Sequence, residues 1–302
     1  MARYGTSVHL FKVFQGILQY DCRAQHNLGH AYQYGIGVEK DEKLALLWFE
    51  RSAASGNAFA LHSLGYCLQF GIGTEVNEIL AFQMFLESAM MGHGPAQLSL
   101  GCCYRNGCGV EKNEDLAFSW IEKAAIGGND LAQNTLGHLY EDGIACIRSI
   151  EKAIEWYTHS SNQGNAWALT NLSSLYSQGN GVQQDACEAF RLIRIASEKG
   201  HSRAQTLMGD YLSEGIGCDR NVSAAIVCYT DAANQGSISA MNALGRLFEG
   251  GDGCESDILN AIYWYEKAAS EGDINASNRL MELVTIGRFG SVSFLGHAAP
   301  AA

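Results

Sequence analysis

Ala60, Leu64 and Gly65 return 36 residues later as Ala96, Leu100 and Gly101, then as Ala132, Leu136 and Gly137, and onward to Ala240, Leu244 and Gly245. A fixed period of this size is the signature of a stacked array, in which each brick is too small to bury its own apolar face and leans on its neighbours. Full units run over 21–56, 57–92, 93–128, 129–164, 165–200, 201–236 and 237–272. Ala276, Leu280 and Gly287 stay in frame beyond them. The expected organisation is an N-terminal capping helix at 1–20, seven repeats at 21–272, a partial terminal repeat holding only a first helix at 273–287, and a flexible tail at 288–302.

Within each unit the columns spell two helices. The first opens at Asp21, Asn57, His93, Asn129, Asn165, His201, Ser237 and Asp273, mostly side chains that accept a hydrogen bond from the free N–H groups of a first turn. It ends at Gly35, Gly71, Gly107, Gly143, Gly179, Gly215 and Gly251, where a residue tolerant of positive φ lets the chain leave the helix. The second opens at Asp41, Asn77, Asn113, Ser149, Asp185, Asn221 and Asp257 and closes at the glycine column Gly56 to Gly272. The fold class that follows is all-α, a solenoid of helix–turn–helix repeats.

Spacing also predicts the packing. Ala60, Leu64, Gly65 and Leu68 form one apolar stripe with two small residues where a neighbouring backbone comes close, and Ala81, Phe82, Phe85, Ser88 and Ala89 form another. The column Leu46, Phe82, Phe118, Ile154, Phe190, Ile226 and Ile262 is expected to fill the gap between helices. Ser173 stands where the other full units carry glycine, which predicts slightly wider packing in the fifth unit.

Composition narrows the function classes. A formal charge of −12 and a pI near 5.2, with no basic run, argue against a nucleic-acid footprint, which needs a cationic stripe to displace counterions. The ten cysteines do not recur as a pair in each unit, as a stapled repeat requires. They read as reduced thiols of a cytoplasmic or nuclear protein, with secretion disfavoured. No run of 18 apolar residues suits a membrane span, so membrane insertion is not expected. Lys12 interrupts the apolar positions Val8, Leu10, Phe11, Val13, Phe14, Ile17 and Leu18, which reads as an amphipathic end-cap and not a signal peptide.

The run A-x-x-x-L-G-x-x-Y, a G-x-G loop, a cap residue and then A-x-x-W-[FY]-x-x-[AS]-[AS]-x-x-G resembles the Sel1-like repeat, a relative of the tetratricopeptide repeat. Ala132, Leu136, Gly137, Tyr140, Gly143, Ala153, Trp156, Tyr157, Ser160 and Gly164 match one copy, with Ala145 in place of the second loop glycine. The resemblance implies right-handed superhelical stacking and a role as a non-catalytic adaptor or scaffold for other proteins. It also implies two alternatives, a hydrolase of the cysteine-rich Sel1-like type and the repeat region of a larger signalling or endoplasmic-reticulum degradation protein. The cysteine arrangement departs from the former.

By analogy with tetratricopeptide arrays, the first helices line a concave face. Three of their columns vary from copy to copy and stay largely polar: His26, His62, Leu98, Asn134, Thr170, Thr206 and Asn242; His30, Tyr66, Cys102, His138, Ser174, Asp210 and Arg246; Gln33, Gln69, Arg105, Glu141, Ser177, Ser213 and Glu249. A groove that differs along its length can read a peptide or a helix. The plainer reading is that such positions are merely wet. His26, His30 and His62 could approach one another, but no acidic or cysteine ligand is fixed by the spacing, so no metal or other cofactor is assigned. Cys102, Cys103 and Cys108 lack a histidine base and an electropositive setting in the sequence, so no catalytic residue is assigned either. The G-x-G loops lie between helices and not after a strand, which removes the dinucleotide reading. The expected partner is a protein or peptide, and the oligomeric state is not legible.

Overall fold

A computed structural model describes residues 21–289; the expected cap at 1–20 and residues 290–302 of the expected tail lie outside the described residues. The elements fall into two compact units that meet at Gln163 and Gly164. The first unit holds α1 (Cys22–Tyr34), α2 (Glu42–Ala54), α3 (Ala58–Phe70), α4 (Glu78–Met90), α5 (Gly94–Asn106), α6 (Glu114–Ile126), α7 (Asp130–Asp142) and α8 (Ile150–Asn162). The second holds α9 (Ala166–Gln178), α10 (Ala186–Glu198), α11 (Ser202–Glu214), α12 (Val222–Asn234), α13 (Ile238–Gly250), α14 (Ile258–Ser270) and α15 (Ile274–Phe289). Among the described residues no strand occurs, and none of the helices is long and apolar enough to cross a membrane. The fold is an all-α solenoid, and within each unit every helix packs on the one before and the one after it.

The ends of the helices follow from single side chains. Asp21 accepts from the N–H groups of Arg23 and Ala24, and Asn77, Asn113, Ser149, Asp185, Asn221 and Asp257 each cap a second helix through the residue three places on. His93 makes no such bond, and Pro95 opens that helix instead. The second helices stop two residues short of their glycines: α2 ends at Ala54, and Gly56 follows the C-cap Ser55 in a left-handed conformation, φ 77°. In the G-x-G loop the second glycine has a stricter reason. A Cβ at Gly217 would overlap the Ala186 carbonyl of the preceding repeat, at φ +69°. Ala145 occupies the same loop place at φ 54°, a conformation that costs an L-residue roughly 1–2 kcal/mol.

The core does not sit where the Phe82 column suggests. Leu46, Phe82, Phe118, Ile154, Phe190, Ile226 and Ile262 are only partly buried. The deep column is three residues on: Phe49, Phe85, Ile121, Tyr157, Ile193, Tyr229 and Tyr265 are at most 3% exposed. In the six repeats with a glycine at this place of the first helix, the deep side chain packs directly on it, so a Cβ at Gly65 would meet the Phe85 ring at 2.7 Å. Burying each such side chain contributes roughly 1.5–3 kcal/mol. The Phe82 column instead seals the rim, with Phe82 edge-to-face on Tyr104 at 5.4 Å and Phe118 on Tyr140 at 5.6 Å. Ser173 is fully buried opposite Ile193, a smaller group than the rings of most copies, and donates to the Ala189 carbonyl at 2.8 Å.

Candidate functional site

Cavities open between successive first helices, within each unit. In the first unit α1, α3 and the start of α5 enclose about 380 Å³ lined by His26, His30, Tyr34, Phe59, Ser63 and Tyr66, with Gln33, His62, His93 and Pro95 completing the wall. The helical periodicity explains the convergence. His26 and His30 stand one turn apart on α1, and His62 and Tyr66 repeat them on α3.

These imidazoles hold one another. His26 and His30 share a hydrogen bond between their Nε2 atoms at 3.1 Å, which requires one ring to donate and the other to accept as a neutral base. Ser63 Oγ lies 3.1 Å from His26 Nε2, and Ser99 Oγ lies 3.1 Å from His62 Nε2. His62 and His93 meet edge-to-face at 5.2 Å, and His93 packs on Phe59 at 4.5 Å. Burial, reinforced by the neighbouring imidazoles, pulls His26 and His62 down to about 4, and burial lowers His30 and His93 as well. The pocket wall is therefore uncharged at neutral pH. Among the described residues no group of three or more His, Cys, Asp or Glu is placed to hold a metal ion.

The second unit has two cavities of another character. One, of about 880 Å³, lies between α9 and α11 and is lined by Trp167, Lys199, His201, Arg203, Thr206 and Asp210 among others. Trp167 and His201 pack edge-to-face at 3.9 Å. Asp210 accepts from the Tyr229 hydroxyl at 2.7 Å, and burial still raises its carboxyl above the usual range. The other, of about 780 Å³, is lined by Asn242, Arg246, Glu249, Tyr265, Asn275 and Arg279 among others. There Arg279 Nε donates to Glu249 at 3.0 Å, and that bond holds the Glu249 carboxyl low.

The expected site residues thus divide. His26, His30, His62 and Tyr66 converge in the first unit, while Thr206 with Asp210, and Asn242 with Arg246, enter the two cavities of the second. Gln69, Arg105, Asn134, His138 and Glu141 line none of these three cavities. His138 pairs with Asp142 at 3.0 Å, and Glu141 accepts from the buried Tyr157 hydroxyl at 2.7 Å. Thr170 is a correction: it is fully buried, and its hydroxyl is spent on the Ala166 carbonyl one turn back, so it is not open to a ligand. Cys103 is buried and pushed up to about 12, and Cys102 is raised too, so both are protonated thiols near neutral pH.

Sequence reasoning missed a fourth column. Phe59, Pro95, Trp167, Arg203, Ser239 and Asn275 all occupy the second position after the N-cap, and every one lines a cavity. The column stands three residues before that of His26, on the same helical face, and varies as widely. That variation was the available signal.

Comparison with known proteins gives the lineage. No curated protein matches the chain. Among solved structures, c5321, a protective antigen present in uropathogenic Escherichia coli strains that displays an SLR fold, is similar at 30% identity and a TM-score of 0.73. That match covers 93% of this chain, which spans 60% of the length of c5321. A Sel1 repeat protein from Oxalobacter formigenes is similar at 29% identity and a TM-score of 0.68, over 87% of this chain and 76% of the other. The model of the Sel1 repeat matches at 22–57, 58–93, 94–129, 130–165, 168–201, 202–237 and 238–273. The chain belongs to the Sel1 repeat family, whose arrays are typically non-catalytic and generally mediate protein–protein interaction.

Proposed function

We propose that this array is a non-catalytic scaffold that holds a peptide or helix of a partner protein against the face formed by its first helices. One observation carries the reading. The packing columns keep their chemistry from repeat to repeat, while the four columns that line the cavities change at nearly every copy. Stacking needs only the first set, so the second is free to match a ligand that differs along its length. The first unit offers apolar and imidazole walls for an aromatic or aliphatic anchor, and the second offers Lys199, Arg203 and Arg246 to acidic side chains.

The test selects peptides from a random library on the full chain, then measures their affinity for Tyr66→Ala and Trp167→Ala. Both rings are substantially exposed, at 44% and 45%, so their loss should leave the melting temperature unchanged. Peptides seated on this face should lose about ten-fold or more in affinity with one variant or the other, as anchors of an interface do. Selected peptides that bind both variants as tightly as the parent would overturn the proposal.

A further inference from the structure

The charges on the walls of the second unit's two cavities do not balance. Among the described residues of that unit, Arg191, Arg194, Arg220 and Arg279 stand in ion pairs, and Lys267 lies over the Tyr263 and Trp264 rings. Lys199, Arg203 and Arg246 have no such partner among the described residues, and all three line the cavities. The carboxylates of the same walls are engaged. Asp210 accepts from the Tyr229 hydroxyl, Glu249 from Arg279 and Tyr265, and Asp273 from the N–H of Ala276. Arg246 is near enough to Asp210 to favour its ionised form but makes no ion pair with it. In a chain of formal charge −12, the cavity-lining groups left without a contacting counter-charge are therefore cations.

The two cavities adjoin, because Ser239 lines both. Arg203 stands near the start of α11, at the repeat position that Ser239 has on α13, and Arg246 lies seven residues beyond Ser239. Seven residues of helix are about 10 Å long, and the step to a neighbouring helix adds about 10 Å across it, so the two arginines leave the backbone about 15 Å apart. That is the span of about four residues of extended chain.

We infer that the second unit recognises an acidic segment of its partner protein, in which two carboxylate side chains about four residues apart reach Lys199 with Arg203 and then Arg246. The inference rests on the scaffold reading above and adds the chemistry of what one unit holds. Trp167, 45% exposed and packed edge-on against His201, is a flat wall beside the first seat, suited to an apolar or aromatic residue next to the acid. The first unit has no equivalent, since neither lysine nor arginine lines its pocket.

The test takes peptides selected from a random library on the full chain and sorts them by their response to Trp167→Ala. Those that depend on Trp167 should carry paired Asp or Glu. Changing both acids to Asn or Gln should weaken binding about ten-fold or more, as should salt near 1 M, where the screening length is about 3 Å. Arg203→Glu/Arg246→Glu should weaken the same peptides, and a peptide whose two acids are changed to Lys should regain affinity for that variant. A merely structural role for the arginines would give no such recovery. Both side chains are exposed, so the melting temperature should stay at the parental value. Trp167-dependent peptides that lack the acids, or that bind equally well without them, would overturn the inference and leave the scaffold reading intact. Peptides that respond only to Tyr66→Ala would do the same, and peptides that respond to neither variant would overturn both readings.

Discussion

The two units are made of the same brick and present different surfaces. The first gathers four imidazoles, Phe59, Tyr34, Tyr66 and Pro95 into a pocket with no ionised wall, while the second sets Lys199, Arg203, Asp210, Arg246 and Arg279 around its cavities. The deep column varies too, though not by unit: Tyr157 of the first unit already reaches Glu141 as the later tyrosines reach their carboxylates, and Ile193 of the second is apolar. In the first two repeats the deep column is Phe49 and Phe85, purely apolar; in the sixth and seventh it is Tyr229 and Tyr265, whose hydroxyls reach past the glycine to Asp210 and Glu249. A repeat frame held by small residues and caps leaves the cavity-facing positions free to diverge without loss of the stack, which is how one architecture serves unlike ligands.

The largest expected effect tests the part the units share. Gly73→Ala and Gly217→Ala each force a Cβ into the backbone of the preceding second helix, at Glu42 and Ala186, from a left-handed conformation. Strain and overpacking together should cost about 3–5 kcal/mol in urea denaturation, equally in either unit. A loss confined to one of them would break the equivalence.

Acid should separate the units next. His26 and His62 sit near 4 in the folded chain against an ordinary 6.5, so the unfolded chain binds more protons between those values. Their contribution is complete above about pH 6.5 and is lost as the pH falls towards 4. Allowing for their partial exposure, the loss is about 3 kcal/mol in all. Among the described residues of the second unit only His201 is lowered in this way, and Asp210, raised by burial, works in the opposite sense. Urea midpoints near pH 7 and pH 4.5 should therefore fall for the parent and fall much less for His26→Gln/His62→Gln; equal falls would refute the account.

The smallest effect concerns the tyrosine column. Tyr229→Phe leaves the half-buried Asp210 carboxyl without its 2.7 Å donor and should cost about 1 kcal/mol in thermal denaturation. No measurable loss would mean that the hydroxyl is satisfied equally well by water in the unfolded chain and that the tyrosine column differs from the phenylalanine column in name only.

How much of this was legible depends on how local the cause is. N-caps at Asp41, Asn77 and their equivalents, and glycines at the ends of first helices, were legible because each acts on backbone groups within three or four residues of itself. Phe82 and Phe85 were both legible on the apolar stripe, but the Phe82 column was expected to fill the gap, because only the position of Gly65 across it decides which of the two is central. Thr170 looked like its polar column mates Asn134 and Thr206, yet it is buried in its own repeat. The column of Phe59 and Trp167 was passed over because an apolar residue near a helix start reads as packing until the neighbouring first helix is in place.

By itself the sequence determined the brick: its period, its two helices, their caps and the glycines between them, all of which are set by interactions short enough to recur identically every 36 residues. The tertiary structure alone decided which of two neighbouring apolar columns lies deepest, that four histidines from different repeats share one uncharged pocket, and that a tyrosine in one helix finds its acceptor on another. Those outcomes depend on distances between residues far apart in the chain, and periodicity fixes the direction in which a side chain points without fixing what it meets there.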